Sequence, residues 1–383
     1  MKNVKTLLIE LQFCIVTFLL AVTFFLDVCI MVRNVIVFLK RCLKSGCMIL
    51  LSCFILYFLF KSVTETEVVS QRDMRNQFIS SEEDTTTTVG YITTTEEMVT
   101  TETENEQFHQ FSFNYIHIPP QICELDGASM DPFLVIVVKS SVMHIGHREA
   151  IRSTWAKFKN PNIKLVFLLG YSVLIKQYIN MEYSLYKDIV QQDFVDDYFN
   201  NTLKTIMGFD WVVTHCPKSK FVYFVDDDYF VNLPKLLDYL DLNIKRKTKN
   251  LIAGHKYIRA IPRRKRDSKW FVSWDDYPNK TWPPYLSGGS MIMDMSVAKR
   301  VKEKIPYTKH IFIDDVFLGI VAKSLNLELW NERKFSVRYV SDKLGSLFSA
   351  HSFGPPHNLI SEWKKVRCKH VKLFQRLYGV PQC

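Results

Sequence analysis

The chain of 383 residues is long enough for one large globular domain with further segments attached, because a single core rarely grows beyond about 250–300 residues. Its hydrophobic content of 48% excludes a wholly disordered protein. The net charge of +10 is unevenly divided, with +5 on residues 1–61, −11 on residues 62–130 and +16 on residues 131–383. This division predicts a basic N-terminus, an acidic spacer and a basic folded domain.

Two uncharged apolar runs of 16 residues, 11–26 and 45–60, lie near the N-terminus. Membrane spans usually need about 17–25 residues, although thin membranes accept shorter ones. Four basic residues precede the second run, and the positive-inside rule keeps such residues in the cytosol: Arg33, Lys40, Arg41 and Lys44. We therefore expect a cytoplasmic and hydrophobic segment at 1–44 and a transmembrane signal-anchor at 45–60. Whether 11–26 forms an extra span stays open.

Residues 61–130 have the composition of a stem. Within 62–110 there are twelve Thr and eleven acidic residues, and apolar side chains follow no period. Such a segment cannot bury enough apolar surface to offset the entropy lost on ordering. Two interpretations remain, a stalk that carries O-linked glycans and an unmodified disordered linker.

Cysteines and glycosylation sequons fit a lumenal location for the remainder of the chain. Two N-x-[ST] sequons begin at Asn200 and Asn279 and predict N-glycosylation there. Four cysteines follow the apolar runs, which permits two disulfides in three connectivities: Cys123, Cys216, Cys368 and Cys383.

From residue 131 to 383, short β-branched runs alternate with helical periods. The pattern predicts strands at 133–138, 164–169 and 221–225, and helices at 147–158, 198–216 and from Leu233 onward. Asn232 is the candidate cap of the last helix, with Pro234 in its first turn. Alternation of this kind predicts an α/β domain with a mostly parallel sheet flanked by helices.

Three consecutive carboxylates, Asp226, Asp227 and Asp228, follow the apolar strand at 221–225. Ligands of open α/β sheets bind beyond the carboxyl ends of the strands. Adjacent acids repel one another unless a cation or donors compensate, and oxygen ligands suit Mg²⁺ or Mn²⁺. The triplet therefore predicts a site for a metal and phosphate groups, with a solvated acidic turn as the alternative.

A second acidic pair, Asp314 and Asp315, opens a helical period. Acids are also common in a first helical turn as partners of the helix dipole, so this pair alone does not establish a site. Between the two acidic sites, Gly288 and Gly289 follow an aromatic and proline-rich corner, and such glycines often let a ligand approach the main chain. The absence of phosphate-loop, dinucleotide-binding and G-x-S-x-G motifs weighs against Rossmann oxidoreductases and serine hydrolases.

Six segments resemble, in order and approximate spacing, the β-1,3-galactosyltransferase-like enzymes of glycosyltransferase family 31: REAIRSTW at 148–155, DFVDDY at 193–198, NTLKT at 201–205, DDD at 226–228, YLSGG at 285–289 and DDVFLG at 314–319. The resemblance covers about 133–355. It implies a GT-A-type domain, a UDP-sugar donor, Mn²⁺ and inversion at the anomeric carbon. It also implies a single-pass type II protein of the Golgi membrane with a lumenal catalytic domain.

The resemblance assigns roles to individual residues. It implies that Asp228, Asp226 and His351 bind the metal, that Asp226 and Asp227 also contact the nucleotide, and that Asp315 is the catalytic base. Arg148 and Arg152 resemble residues of the nucleotide pocket. Trp270 belongs to a Lys-Trp element on the acceptor side.

The sequence also departs from the family. Leu286 stands where relatives usually have Cys, which implies a different disulfide pattern, and Ser290-Met291 replace Gly-Tyr, which puts the acceptor in doubt. A basic loop, RRKR at 263–266, is unusual and has two interpretations, a solvated loop or a convertase cleavage site.

We therefore expect a hexosyltransferase that moves galactose or an N-acetylhexosamine from a UDP-sugar to the 3-hydroxyl of a glycan on glycoprotein or glycolipid, with a β-1,3 linkage. We expect no nucleic-acid partner. The alternative is a catalytically silent, lectin-like membrane protein on a mucin-type stalk.

Overall fold

The computed structural model of the chain describes residues 112–120, 122–125, 128–129 and 131–379. The predicted cytoplasmic segment 1–44, the possible span 11–26, the predicted anchor 45–60 and most of the predicted stem lie outside these residues. Within the described ranges, every helix is too short or too polar to cross a bilayer.

Thirteen strands are present in the described ranges. They are β1 Tyr115–His117, β2 Glu124–Leu125, β3 Ala128–Ser129, β4 Leu134–Lys139, β5 Ile163–Tyr171, β6 Ile189–Val195, β7 Phe221–Asp226, β8 Phe230–Val231, β9 Ile252–Tyr257, β10 Tyr285–Asp294, β11 Trp330–Asn331, β12 Phe335–Ser336 and β13 Ser349–Ala350. Eight strands form the main sheet in the order β1-β6-β5-β4-β7-β10-β9-β11, and β12-β13-β8 form a smaller sheet.

The described α-helices are α1 Ile145–Ser153, α2 Lys176–Tyr186, α3 Asn201–His215, α4 Leu233–Lys245, α5 Met295–Lys304, α6 Asp314–Ser324, α7 Pro356–Lys369 and α8 Val371–Tyr378. Helices cover both faces of the main sheet. Leu134, Ile136 and Val138 of β4 pack into one core with α1, α4, α7 and α8. Val135 and Val137 point to the opposite core, which contains α3, α5 and α6. This alternation explains why β4 is apolar on both faces.

The predicted strands at 133–138, 164–169 and 221–225 are confirmed as β4, β5 and β7, within a few residues at each end. The predicted helix from Leu233 is α4, and the Asn232 side chain caps it by accepting a hydrogen bond from the Lys235 N–H at 3.4 Å. The helix predicted at 147–158 ends earlier, at Ser153, and residues 198–200 of the helix predicted at 198–216 form a 3-10 turn.

The expectation of a mostly parallel sheet holds only for its centre. Strands β6, β5, β4 and β7 are parallel neighbours, whereas β10 runs antiparallel to both β7 and β9. The glycine-containing segment 285–294, which the sequence did not predict as a strand, is this ten-residue β10. The main sheet is therefore mixed.

The folded domain begins before residue 131, where the sequence predicted its start after a stem at 61–130. Strand β1 pairs antiparallel with β6 at the edge of the main sheet. A disulfide then joins Cys123 to Cys216, just after α3, and Cys368 is also disulfide-bonded. Residues from about 112 onward therefore belong to the folded domain.

The Cys123–Cys216 disulfide is expected to contribute substantially to stability, because it closes a loop between cysteines 93 residues apart. A cross-link of this span restricts the unfolded chain, and its removal typically costs about 2–5 kcal/mol. We expect the double variant C123A/C216A to unfold at a markedly lower denaturant concentration than the unchanged chain. The single variant C216A should match the double variant, since either change removes the same bond. An unchanged midpoint in both would show that the disulfide is not stabilising.

Candidate active site

A cleft of about 770 Å³ lies at the end of the sheet where β7 terminates, and both acidic sites line it. Asp226 is the last residue of β7, and Asp314 and Asp315 are the first residues of α6. The side chain of His351, which directly follows β13, also reaches this cleft. The fold thus brings together groups that are up to 125 positions apart in the sequence.

Asp227, the middle carboxylate of the triplet, points into the protein and is only 6% exposed. It accepts hydrogen bonds from the Ser140 hydroxyl at 2.6 Å and from His144 Nδ1 at 2.9 Å. Burial would raise the pKa of Asp227, but these two donors outweigh it and hold the pKa below its usual value. Asp227 therefore fixes the turn after β7, and it does not line the cleft.

Asp228 and His351 form a direct pair. The Asp228 Oδ2 atom lies 2.9 Å from His351 Nε2, and this hydrogen bond raises the pKa of His351. The other carboxylate oxygen, Asp228 Oδ1, is buried and has no hydrogen-bond partner in the described part of the chain. A buried, unpaired carboxylate oxygen is costly unless a missing ligand satisfies it.

This pair fits a divalent cation better than it fits a purely structural role. Carboxylate oxygen and imidazole nitrogen are suitable ligands for Mn²⁺, and the orphaned Asp228 Oδ1 offers a free ligand atom. No group of three or more His, Cys, Asp or Glu side chains in the described ranges is arranged to hold a metal ion, so the predicted set of Asp226, Asp228 and His351 does not form a metal site from protein ligands alone. The set suits a metal that completes its coordination with substrate phosphates and water.

Lys139, the last residue of β4, lies between the two acidic sites. Its ammonium group is 3.0 Å from Asp226 Oδ1 and 2.6 Å from Asp314 Oδ2, and its side chain is 3% exposed. Burial would lower the pKa of Lys139, but the two carboxylates raise it above its usual value. Thr205 donates a further hydrogen bond to Asp314 at 3.0 Å. Lys139 therefore joins the end of β7 to the start of α6.

Neither Asp226 nor Asp314 is a free carboxylate. Burial raises the pKa of Asp226 to about 6, with the charges of Asp228 and Asp314 adding to this effect and Lys139 opposing it. Burial also acts on Asp314, but there Lys139 and Thr205 prevail and hold the pKa below its usual value. Asp314 is thus an ionised structural group, and it is more than a partner of the helix dipole.

Asp315 lines the cleft without an ion pair among the described residues. Burial, followed by the charge of Asp314, raises its pKa to about 7. Its carboxylate accepts hydrogen bonds from the backbone N–H groups of Val316, at 2.8 Å, and Gly288. A carboxyl group with a pKa near neutrality is suited to accept a proton during a reaction.

The two glycines of β10 allow the close packing around Asp315. A Cβ atom on Gly288 would lie 3.0 Å from Asp314 Oδ2 and 3.1 Å from Asp315 Cβ. A Cβ atom on Gly289 would lie 2.5 Å from the Tyr229 hydroxyl. Because these glycines have no side chains, Asp314, Asp315 and Tyr229 can pack against their backbone. Both glycines also line the cleft.

Arg148 and Arg152 do not line the cleft. Arg148 is fully buried, and its guanidinium donates to both oxygens of Glu182, to the Ser140 hydroxyl and to the carbonyls of Ser141 and Val142. These contacts leave no N–H for a nucleotide. Arg152 binds Glu182 and Asp188. The prediction that both arginines contact a nucleotide is therefore corrected, because they form structural ion pairs. Arg148 also donates to the Ser140 hydroxyl, which in turn donates to Asp227.

The two predicted glycosylation sites differ in their surroundings. Asn200 is half-buried, its side chain donates to the Val195 carbonyl at 2.9 Å, and Thr202 of the same sequon is buried. Asn279, by contrast, is exposed. Asn279 is therefore the more accessible acceptor in the folded domain.

Several residues in or beside the cleft escaped the sequence analysis. Lys139 could have been found, because it follows an apolar strand of the sheet centre just as the triplet does. Apart from Trp270, no short-range pattern marks the aromatic lining, whose members are spread along the chain: Tyr198, Tyr229, Tyr257, Trp270, Trp282, Tyr285 and Phe312. Trp270 does lie at the cleft, where its indole N–H donates to the Tyr198 hydroxyl at 2.8 Å.

The family model and the curated relatives that match this chain are all galactosyltransferases. A galactosyltransferase family model matches residues 146–333. The beta-1,3-galactosyltransferase brn of Drosophila melanogaster is 32% identical over 263 residues, which cover 67% of this chain and 80% of that protein. Beta-1,3-galactosyltransferase 5 of Pan paniscus is 34% identical, covering 66% and 85%. Beta-1,3-galactosyltransferase 1 of Mus musculus is 31% identical, covering 67% and 81%.

Among solved structures, the glycosyltransferase GlyE of Streptococcus pneumoniae TIGR4 aligns with a TM-score of 0.35 at 11% identity, covering 66% of each chain. The family match includes the aspartate triplet, the two glycines of β10 and the acidic pair of α6. The chain therefore belongs to the galactosyltransferase family, the β-1,3-galactosyltransferase-like enzymes of glycosyltransferase family 31.

Proposed function

We propose that this chain is an inverting glycosyltransferase with a GT-A-type domain. It transfers a hexose, galactose or an N-acetylhexosamine, from a UDP-sugar to the 3-hydroxyl of a glycan on a glycoprotein or glycolipid, with a β-1,3 linkage. Its relatives are β-1,3-galactosyltransferases. The observation that carries the mechanism is the Asp315 carboxylate, which lines the cleft, lacks an ion pair with the described residues and has a pKa of about 7.

Asp315 acts as the general base. It takes the proton from the acceptor hydroxyl while that oxygen bonds to the anomeric carbon, and the bond from this carbon to the diphosphate breaks, so that UDP leaves. No protein nucleophile takes part, so one displacement from the opposite face converts an α-linked donor into a β-linked product. Asp314 cannot share this role, because Lys139 and Thr205 occupy its carboxylate.

Asp228 and His351 would hold Mn²⁺, with Asp226 on the same side of the cleft. When bound, the metal would neutralise negative charge on the departing diphosphate. The buried Asp228 Oδ1 supports this assignment, since it would gain the partner it lacks. Asp227 holds the turn after β7 in place through its hydrogen bonds with Ser140 and His144.

A lectin-like protein without activity is the less favoured function. Such a protein would need the cleft but would have no use for a carboxylate whose pKa lies near neutrality. The relatives are named as transferases, which also supports an enzyme.

We further propose a Golgi location, with the chain crossing the membrane once at 45–60 as a type II protein. The basic residues before that run support this orientation. The Cys123–Cys216 disulfide supports an oxidising compartment for the folded domain.

The purified chain should release UDP when it is incubated with Mn²⁺, a glycan acceptor and the correct UDP-sugar from a panel of UDP-galactose, UDP-GlcNAc and UDP-GalNAc. Nuclear magnetic resonance of the product should show a β bond at position 3 of the acceptor sugar. Tight binding of glycans without release of UDP from any donor would instead support the lectin-like alternative.

The metal role predicts that EDTA abolishes activity and that Mn²⁺ restores it better than Ca²⁺, which prefers more ligands, all of them oxygen. D228N should require far more Mn²⁺ for half-maximal activity, because it removes a ligand charge. The exposed Asp267 lies outside the site, so D267N is the control and should leave the Mn²⁺ requirement unchanged. Full turnover in EDTA would contradict a metal role for Asp228.

A further inference from the structure

Groups of both charges line the cleft. Asp226 and His351 belong to the proposed site for a nucleotide diphosphate and its metal. Arg259 and Arg263 also line the cleft, and both are exposed. Neither arginine forms an ion pair with an acidic side chain in the described ranges, in contrast to the paired Lys139.

Tyr257 and Tyr285 line the same cleft as these arginines and Asp315. The two tyrosines are cross-strand partners in β9 and β10, and their rings stack with centroids 5.1 Å apart. Burial raises the pKa of both, and the nearby charge of Asp315 raises them further, while Arg263 opposes the rise at Tyr285. The aromatic pair therefore lies close to the general base and to Arg263.

The basic loop is built so that it fixes the backbone of Arg263. Arg264 donates hydrogen bonds to the carbonyls of Val272, Ser273, Tyr277 and Asn279, and its guanidinium stacks on Trp274 at 4.0 Å. The Arg263 carbonyl accepts a bond from the Val272 N–H at 3.0 Å. Arg263 is thus presented by an anchored segment, which distinguishes it from a freely solvated lysine or arginine.

Arg259 has an unusual backbone as well. Its φ is 56°, a left-handed conformation that is unfavourable for a residue with a side chain. Residues kept in such conformations often cluster at ligand sites. Two exposed arginines, four positions apart in the chain, therefore line the same cleft as the tyrosine pair.

We propose that the part of the cleft lined by Arg259, Arg263 and the tyrosine pair binds an acceptor glycan that carries an anionic group, a carboxylate or a sulfate, on the sugar next to the one that is modified. The inference rests on the proposed function. The two guanidinium groups bind the anion through charge-assisted hydrogen bonds, and the tyrosine pair packs against a sugar ring. The reacting hydroxyl is thereby placed at Asp315.

Three matched disaccharide acceptors test this proposal with the full chain. All end in the same hexose, and the second sugar is glucose, glucuronic acid or 6-sulfated glucose. We expect kcat/KM at least tenfold higher for a charged acceptor than for the neutral one, mainly through a lower KM. A larger gain with glucuronic acid identifies the carboxylate as the preferred anion, and a larger gain with sulfate identifies the sulfate.

The variants R263A and R259A should remove most of this preference, because kcat/KM for the charged acceptors should fall towards the value for the neutral acceptor. R266A is the control, because Arg266 is an exposed residue of the same loop that does not line the cleft, and it should keep the preference. Added salt should reduce the preference in the unchanged chain, since exposed charges are screened.

Equal kcat/KM for charged and neutral acceptors would overturn this inference and leave the proposed function standing. A higher KM for the UDP-sugar in R263A, with an unchanged acceptor preference, would also overturn it by assigning Arg263 to the donor. If the enzyme transfers sugar to none of the three disaccharides, measuring their binding by calorimetry distinguishes a failure of the anion site from a failure of the proposed transfer reaction. Tighter, arginine-dependent binding of a charged disaccharide would then support the anion site while the proposed transfer reaction fails.

Discussion

D315N is expected to reduce kcat by a factor of about 10² to 10⁴, because an amide of the same size cannot take the acceptor's proton. The affinities for the UDP-sugar and for Mn²⁺ should stay within a few-fold, since other residues are assigned to those contacts. The unchanged enzyme should lose kcat/KM as the pH falls through about 7, where Asp315 becomes protonated. D315N should lack this acid limb. Steady-state kinetics across pH 5–9 measure both effects.

D314N separates a structural carboxylate from a catalytic one. Because Asp314 is buried and ion-paired with Lys139, its replacement should lower the melting temperature. If D314N instead lost kcat at an unchanged melting temperature while D315N remained within tenfold of the unchanged enzyme, the base would be Asp314. If both variants kept their activity, the proton acceptor would have to be another residue of the cleft.

K139M is expected to cause the largest loss of stability, about 3–5 kcal/mol, because it leaves two carboxylates in the interior without their shared cation. In a domain of this size such a loss lowers the melting temperature by on the order of 10 °C. Activity should fall as well, since Lys139 joins the metal side of the cleft to the helix that carries Asp315. Calorimetry or chemical denaturation measures the first effect.

K302M is the matched control, since Lys302 forms its ion pair with Asp210 at the surface, with 33% and 45% side-chain exposure. Such pairs contribute about 0–1 kcal/mol, so the melting temperature should change little. Equal effects of K139M and K302M would mean that the buried pairs are not energetically important. A larger loss of stability in K302M than in K139M would contradict the conclusion that the buried ion pairs of Lys139 stabilise the fold more than a surface pair does.

The local patterns of the chain predicted the elements that depend on near neighbours. The apolar run at 221–225 and the acids after it predicted a ligand site at the end of β7, and the structure has a cleft there. The leucine spacing and Asn232 were enough to predict α4 and its cap. The segment 285–294 was not predicted as a strand, because its glycines and corner residues disfavour one, and only pairing with β7 and β9 decides it.

The composition and the motif order by themselves determined the kind of protein: an α/β domain with two acidic sites and the features of a glycosyltransferase family. They could not tell apart the roles of neighbouring acids, because Asp226, Asp227 and Asp228 are chemically identical until burial and partners differ. Tertiary structure decided that Asp227 bonds inward, that Asp314 pairs with Lys139 and that Asp315 lines the cleft.

The same reason explains the arginines. Arg148 and Arg152 have the residue type of a phosphate site, but the packing of α1 against α2 supplies Glu182, and the buried charges must pair there. Arg263 looked like part of a solvated loop, yet the anchored backbone places it in the cleft. The sequence specifies the type of each residue. The role of a charged residue depends on its partners and its burial, and long-range contacts determine both.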